Sequence, residues 1–478
     1  MNRRDFLAKL MLTAGIGMMG RHAFADDKDR DGDDDSNDNS DKFNNKGTNG
    51  ISFTPATTGI TNKHVVVVGG GMAGATAAKY LRLWGGTGVS VTLVEPNTAY
   101  TSNIMSNLVL SGGRVMTSLN FPYAGIISKY GITLKQASVT GFTPASNGGQ
   151  ITVSLSDNTT LSCDRLIMAP GIQFDDAYGL TATDYAGNYP HAWQAGTQTT
   201  KLANLVAGMG NNDVFVMSIP AKPYRCPPGP YERACLVADY LKRNGKTGAK
   251  VIVLDENVGI TTSTLAAPYN AIQAEPHSFH SAFTQTHAGI IEYHSGVTGI
   301  SVTKSTANDG SGTVTYNGGT SINAKVISLI PPHRAPSVMG SLLNGGRWAP
   351  VDVLNYESTV TGMNAIHIIG DASSTTQPKA GHIANQEAKV CVDAILRAFQ
   401  GQQPDQAPVT NSACYSPITN TTASWLTAVF HYDSNSKTMK QWSDGAFTGA
   451  NIEAAAIDNK NFTRMNTWFN ALMSDSFS

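Results

Sequence analysis

Four consecutive valines, Val65 to Val68, run without a break into Gly69-Gly70-Gly71-Met72-Ala73-Gly74 and then into an alanine-rich stretch ending near Trp84. An uninterrupted β-branched run reads as a parallel strand buried on both faces, and the alanines that follow read as a closely packed helix. A second apolar strand, Ser90 to Val94, ends at Glu95. Each glycine has a separate physical task in this unit. Gly69 permits the tight turn, Gly71 lets a pyrophosphate reach the backbone, and Gly74 lets the helix pack against the strand. The helix N-terminus receives the phosphate charge, and Glu95 stands where an acid bonds a ribose hydroxyl. Few folds other than a dinucleotide-binding βαβ unit accommodate that order.

Two distant segments narrow the dinucleotide to FAD. Leu166-Ile167-Met168-Ala169-Pro170-Gly171 is a strand that breaks at a small-residue turn, with Ala169 and Gly171 placed for backbone approach. Ala365 to Ile369 is a strand ending in Gly370-Asp371. Together with the first motif these segments resemble flavoproteins of the glutathione reductase type, in which the aspartate bonds the ribityl chain. Between them, Asp213–Ile219, Tyr231–Asn244 and Lys250–Asp255 repeat the βαβ order. The turn of this second unit, however, is Pro220-Ala221-Lys222-Pro223-Tyr224-Arg225-Cys226-Pro227-Pro228-Gly229-Pro230. Proline donates no N–H and fixes φ, so this turn cannot cradle a phosphate, which argues against a nicotinamide partner. The expected fold is α/β: two Rossmann-like dinucleotide-binding domains, the second degenerate, plus a C-terminal α+β interface domain. The FAD domain is assigned to residues 62–175 and 345–401, the degenerate domain to 176–344 and the interface domain to 402–478.

The N-terminus is read as processing rather than fold. Arg3-Arg4 precede an apolar stretch from Leu10 to Met19, and Ala23-Phe24-Ala25 supplies a cleavage site, so residues 1–25 read as a twin-arginine signal for periplasmic export. The apolar stretch is shorter than the roughly 20 residues that span a bilayer, and no integral membrane segment is expected. Residues 26–61 begin with nine Asp between Asp26 and Asp41 and read as an acidic, solvated linker. Asp27, Asp29 and Asp31 mimic the start of a calcium loop but lack the closing Glu. Net charge for the chain is −1, which gives no electrostatic case for nucleic acid.

Five cysteines remain for chemistry: Cys163, Cys226, Cys235, Cys391 and Cys414. Cys163 and Cys391 adjoin buried elements and read as inert. Cys226 sits beside Arg225 just before a helix, where the local field is expected to lower a thiol pKa. Cys414 falls in what reads as an irregular polar segment, and spacing alone does not choose between Cys414 and Cys235 as a partner for Cys226.

Cys226-Pro-Pro-Gly-Pro-Tyr231-Glu232-Arg233, followed far downstream by Cys414-Tyr415-Ser416, resembles the flavoprotein subunit of flavocytochrome c sulfide dehydrogenase. Glu95-Pro96-Asn97, Ser106-Asn107, Gly370-Asp371-Ala372, Pro378-Lys379-Ala380-Gly381 and Trp468-Phe469 support the likeness from about His64 onward. The resemblance implies a redox disulfide between Cys226 and Cys414, with Glu232 as the acid beside it. It implies oxidation of a small inorganic sulfur donor and Lys379 close to the reduced flavin. It also implies electron transfer to a c-type cytochrome subunit or a soluble cytochrome c, since the chain has no haem-attachment motif. That family links its flavin through a cysteine before Ser-Asn. Here the stretch Tyr100–Asn107 has none, so FAD is expected to be non-covalent.

Other features are weighed against this reading. His277, His280, His287 and His294 lack an obvious acidic co-ligand, and no metal site is expected. Met465, Trp468, Phe469, Leu472 and Met473 follow helical spacing. Packing over the flavin or at a subunit interface is the expected role of that stripe. Two rival readings of the chain are a peripheral sulfide:quinone oxidoreductase, which would dock that stripe into a membrane, and a non-catalytic, flavin-binding sulfur carrier.

Overall fold

The computed structural model describes residues 59–146, 149–260, 276–442 and 453–478. The expected export signal, the expected acidic linker up to residue 58, its calcium-like aspartates and the His277 side chain lie outside the described residues.

Strand β1 (Lys63–Val68), helix α1 (Met72–Gly85) and strand β2 (Val89–Val94) form the βαβ unit, extended by β3 (Thr133–Lys135) and β4 (Arg165–Met168). A second unit follows: β5 (Val214–Ile219), helix α2 (Gly229–Arg243), β6 (Lys250–Asp255), β7 (Ile291–Ser295) and β8 (Val326–Leu329). The chain then supplies β9 (Ala349–Asp352), β10 (Glu357–Ser358), β11 (Ile366–Ile368), β12 (Ser373–Ser374) and helix α3 (Gly381–Phe399). A C-terminal antiparallel sheet of β13 (Val409–Pro417), β14 (Ala423–Asp433) and β15 (Thr438–Gln441) precedes helix α4 (Asn459–Phe477).

The large sheet has the order β12-β9-β10-β11-β4-β1-β2-β3, and β11, β4, β1, β2 and β3 run parallel. Register fixes the site. Val68 pairs with Met168 and Met168 with Ile368, so Gly69, Ala169 and Ile369 emerge side by side at the carboxyl ends of three strands. That edge is where open α/β sheets bind ligands. Strand β11 arrives from about 200 residues downstream of β4, which is how Gly370-Asp371 joins the first glycine turn. The second sheet, β7-β6-β5-β8, is also all parallel.

Helix α1 lies between the large sheet and α3, and its Ala75, Ala77 and Ala78 are fully buried where larger side chains would hold the layers apart. The apolar stripe of α4 packs into this same core: Met465, Phe469, Met473 and Phe477 are buried together with Tyr123 and Ile126. Phe469 meets Phe121 edge-on at 5.9 Å, and Phe477 stacks on Tyr100 at 4.8 Å. Trp468 and Leu472 of the stripe are half-buried against the same core, so the stripe serves internal packing first. Among the described residues no helix is long and apolar enough to cross a membrane. Replacing Phe469 by Ala should cost about 3–5 kcal/mol in urea unfolding of the apoprotein. A change below about 1 kcal/mol would show that α4 is not part of the core.

Candidate active site

The glycine turn after β1 opens onto a cleft of about 370 Å³, lined among others by Gly69, Gly71, Glu95, Ala169, Gly171, Gly370 and Asp371. Gly69 has φ +92°, and a Cβ there would lie 2.4 Å from the Ala169 carbonyl oxygen. A Cβ at Gly74 would lie 1.8 Å from the Gly69 oxygen, so Gly74 serves helix–turn contact behind the cleft rather than its lining. At Gly71 a Cβ would meet no protein atom within 4 Å, because that Cα faces the open cleft. Helix α1 has no acidic residue in its first turn, leaving its N-terminal field to an incoming phosphate. Glu95 lies over the turn, accepting from Gly70 N at 2.8 Å and from Asn97 N at 3.0 Å. At the other end the buried Asp371 carboxyl is raised by burial, against the pull of Arg225 and Lys379. The cleft thus offers a bare backbone cradle, a helix N-terminus and an acid at each end, which fits an extended dinucleotide.

A second, smaller cavity of about 80 Å³ adjoins it, sharing Asn103, Arg225 and Gly381 as walls. Cys226, Glu232, His382, Cys414 and Trp468 line it. Four chain segments converge here. Cys226 precedes α2, Glu232 stands in the first turn of α2, His382 begins α3, and Cys414 lies within β13. The Cys226 N–H donates to the Lys379 carbonyl at 2.7 Å, tying the proline-rich turn to the segment before α3. All five cysteines are thiols in the structure.

The field at Cys226 differs from the expectation. Its thiol is pushed up to about 12, first by burial and then by the Glu232 charge, both outweighing Arg225. Arg225 instead turns its guanidinium to the Trp193 carbonyl, while Trp193 Nε1 donates back to the Arg225 carbonyl at 3.1 Å. Glu232 is not an ordinary first-turn acid either. It is 8% exposed, and burial raises its carboxyl to about 8 despite Asn107 and Arg233. Asn107 bridges the two, donating to Glu232 Oε1 at 2.9 Å and accepting from Arg233 Nε at 3.2 Å. The buried Arg233 spends its other donors on the carbonyls of His191 and Ala192 and lies 4.8 Å from the Trp193 ring centre.

The comparisons with known proteins agree with this geometry. Residues 199–331 match the family model described as the central part of the sulfide dehydrogenase [flavocytochrome c] flavoprotein chain, and residues 63–194 match pyridine nucleotide-disulphide oxidoreductases. A relative from Chlorobaculum thiosulfatiphilum, a sulfide dehydrogenase [flavocytochrome c] flavoprotein chain, is 57% identical over 47 residues, covering 96% of that sequence and 10% of this chain. The chain belongs to this sulfide dehydrogenase flavoprotein family. It is an FAD-dependent oxidoreductase. The fold is shared with the sulfide:quinone oxidoreductase of Aquifex aeolicus (TM-score 0.65, 16% identity, 86% of this chain and 92% of that one). It is shared too with NDH2 of Plasmodium falciparum (TM-score 0.58, 10% identity, 87% and 97%).

In this flavoprotein Lys379 does not line the FAD cleft. Its ammonium is buried, bonded to the carbonyls of Asp371 at 2.9 Å and Ser373 at 2.7 Å, and lies 3.9 Å from the Trp348 ring centre. Its effect on the cleft is as a charge behind Asp371. Cys235 is fully buried in the core of the second domain with Phe215 and Val253, away from the small cavity, whereas Cys414 lines it together with Cys226. Cys163 and Cys391 are fully buried, with thiols raised by burial. His287 is buried too, bonded to the Ile418 carbonyl at 3.0 Å. His382 carries no signal of a role in the sequence and Asn107 only that of the Ser106-Asn107 likeness, since tertiary packing brings both to the cavity.

The glycines separate fold from cofactor. Gly71→Ala should keep the melting temperature of the apoprotein and lose most bound flavin, because its Cβ enters the cleft. Gly74→Ala should lower that melting temperature as well, by the overpacking cost of about 1–3 kcal/mol. Equal behaviour of the two variants in flavin absorbance and differential scanning fluorimetry would contradict this assignment.

Proposed function

We propose that the chain is a periplasmic sulfide dehydrogenase in which Cys226 and Cys414 form a redox-active disulfide and FAD passes the electrons to a cytochrome c. The observation that carries the reading is the small cavity, where both cysteines and Glu232 face one space that shares walls with the FAD cleft. Its volume suits a hydrosulfide ion or a short sulfur chain.

In the oxidised enzyme, hydrosulfide attacks Cys226 Sγ. A sulfur–sulfur bond forms to give a persulfide on Cys226, the Cys226–Cys414 bond breaks, and its electron pair leaves on Cys414 as a thiolate. FAD supplies the two-electron acceptor for this chemistry. Glu232, with its carboxyl raised to about 8, holds a proton at neutral pH and can give it to a sulfur in the cavity. Above that pH it becomes a carboxylate that repels an anionic nucleophile. Arg225, on the wall common to both spaces, offers the positive charge that draws hydrosulfide in.

None of the five cysteines lines the FAD cleft, which supports non-covalent binding. The twin arginines support export, and the family of the relatives supports a cytochrome partner carrying its own haem. The burial of Met465, Phe469 and Met473 supports internal packing of α4 over the membrane docking of the quinone alternative. A sulfur carrier without turnover would show no electron transfer to any acceptor.

Cys226→Ser and Cys414→Ser should each retain flavin yet lose sulfide-driven flavin reduction by at least about a hundredfold, the scale on which removal of a reacting group is felt. Undiminished reduction in both would refute the disulfide scheme. Glu232→Gln keeps a neutral side chain at all pH, so its rate relative to the native enzyme should rise as pH passes 8 in stopped-flow reduction. A pH-independent ratio would remove Glu232 from the chemistry. Trichloroacetic acid should release the flavin into the supernatant, whereas flavin left on the precipitate would show a covalent link.

A further inference from the structure

His382 stands second in α3, and its Nε2 lies 3.6 Å from Cys414 Sγ and 2.7 Å from Ser412 Oγ. Residues 412 and 414 are two apart on β13 and present their side chains to the same face. The imidazole is therefore held between a hydroxyl and the sulfur that receives the electron pair in the scheme above. We propose that His382 is a further catalytic residue, whose Nε2–H donates to Cys414 Sγ and stabilises the thiolate released there when the disulfide opens. This rests on the disulfide reading and assigns the leaving sulfur its donor.

The chemistry balances without a proton leaving the ring. The electron pair of the broken bond settles on Cys414 Sγ, the new bond is the persulfide on Cys226, and Nε2–H contributes a hydrogen bond only. Burial supports that state, since it pushes the imidazole down to about 4 and keeps it neutral at the pH of catalysis. A position in the first turn of a helix disfavours the imidazolium in the same direction, and adds the positive end of α3 to the field at the sulfur. The hydrogen bond to Ser412 Oγ fixes the ring, and it competes with the sulfur for the Nε2 proton.

The other charged or titratable groups around Cys414 come from several elements. Arg225 and Cys226 lie before α2, Glu232 is in α2, and Tyr415 is the next residue of β13. On the C-terminal helix the wall is the uncharged Trp468, 6.0 Å ring to ring from His382. Across the sheet Cys414 pairs with Leu426. Further along α3, Lys389 is engaged by Asp475 at 2.7 Å. A donor at Nε2 is thus matched to Cys414 by position, and the surrounding charges are common to every variant compared below.

The test reads thiolate formation at Cys414, not turnover. Flavin-loaded protein carrying Cys226→Ser is treated with iodoacetamide from pH 6 to 10, and modification of Cys414 is followed by peptide mass spectrometry. Adding His382→Phe should raise the apparent pKa of Cys414 by about one unit and slow its alkylation at neutral pH about tenfold. His382→Gln, which keeps an N–H near the Nε2 position, should stay within about threefold of the histidine protein. Ser412→Ala frees Nε2 from its competitor and should speed alkylation, and it decides the matter should the His382→Phe variant fail to fold. Identical profiles with and without His382→Phe would overturn the proposal, as would a His382→Gln variant as slow as His382→Phe or a Ser412→Ala variant no faster than its parent. Those failures differ from failure of the disulfide reading, which shows as sulfide reduction persisting in Cys414→Ser.

Discussion

Asp475, three residues from the end of the chain, is the anchor on which the layout of both cavities depends. Its carboxylate takes the buried Lys389 at 2.7 Å, Asn385 at 2.9 Å and the Tyr80 hydroxyl, while Lys79 donates to its carbonyl at 2.8 Å. These partners come from α1 and α3, so one carboxylate locks the last helix against the two helices that back the FAD cleft. A part-buried ion pair is weak evidence for stability, but with the bonds from Asn385 and Tyr80 this one ties three helices together. The consequence is positional. With α4 held in this register, Phe477 stacks on Tyr100 at the cleft and Trp468 closes the sulfur cavity.

Within that frame the site works by exclusion of water. Glu232 is raised because little solvent reaches it, Cys226 is raised by burial together with Glu232, and His382 is held neutral by burial. A neutral acid, a neutral imidazole and two sulfurs then face a small space with Arg225 on the wall shared with the FAD cleft. In the proposed scheme such a space admits an anion of sulfur and disfavours an accumulation of negative charge.

Much of the frame is legible in the sequence because it rests on local pattern. The valine run, the glycine turn and Glu95 are one strand, one turn and one strand end, and period and spacing suffice to place them. The proline-rich turn, whose prolines donate no N–H, is equally readable as a departure from a glycine turn. The small cavity is less so. Cys414 sits in a nine-residue strand that reads as an irregular polar segment, because its inward residues Thr410, Ser412 and Ser416 are polar. Thr410 is satisfied by Gln377 at 2.8 Å and Ser412 by His382, both from other segments, and no periodicity of apolar residues reveals that. The field at Cys226 is hidden for a related reason. Sequence shows Arg225 beside the thiol but not that burial and Glu232 outweigh it. Choosing Cys414 over Cys235 likewise needs the fold, which turns Cys235 into the core.

The central claim is that sulfide reduces this flavin through the cysteine pair. Its most direct test is an anaerobic titration of the purified holoprotein with sulfide, watching the flavin band, followed by oxidised cytochrome c. The account predicts stoichiometric bleaching of the flavin and then reduction of the cytochrome as the band returns. A flavin that dithionite reduces and sulfide leaves oxidised would contradict it.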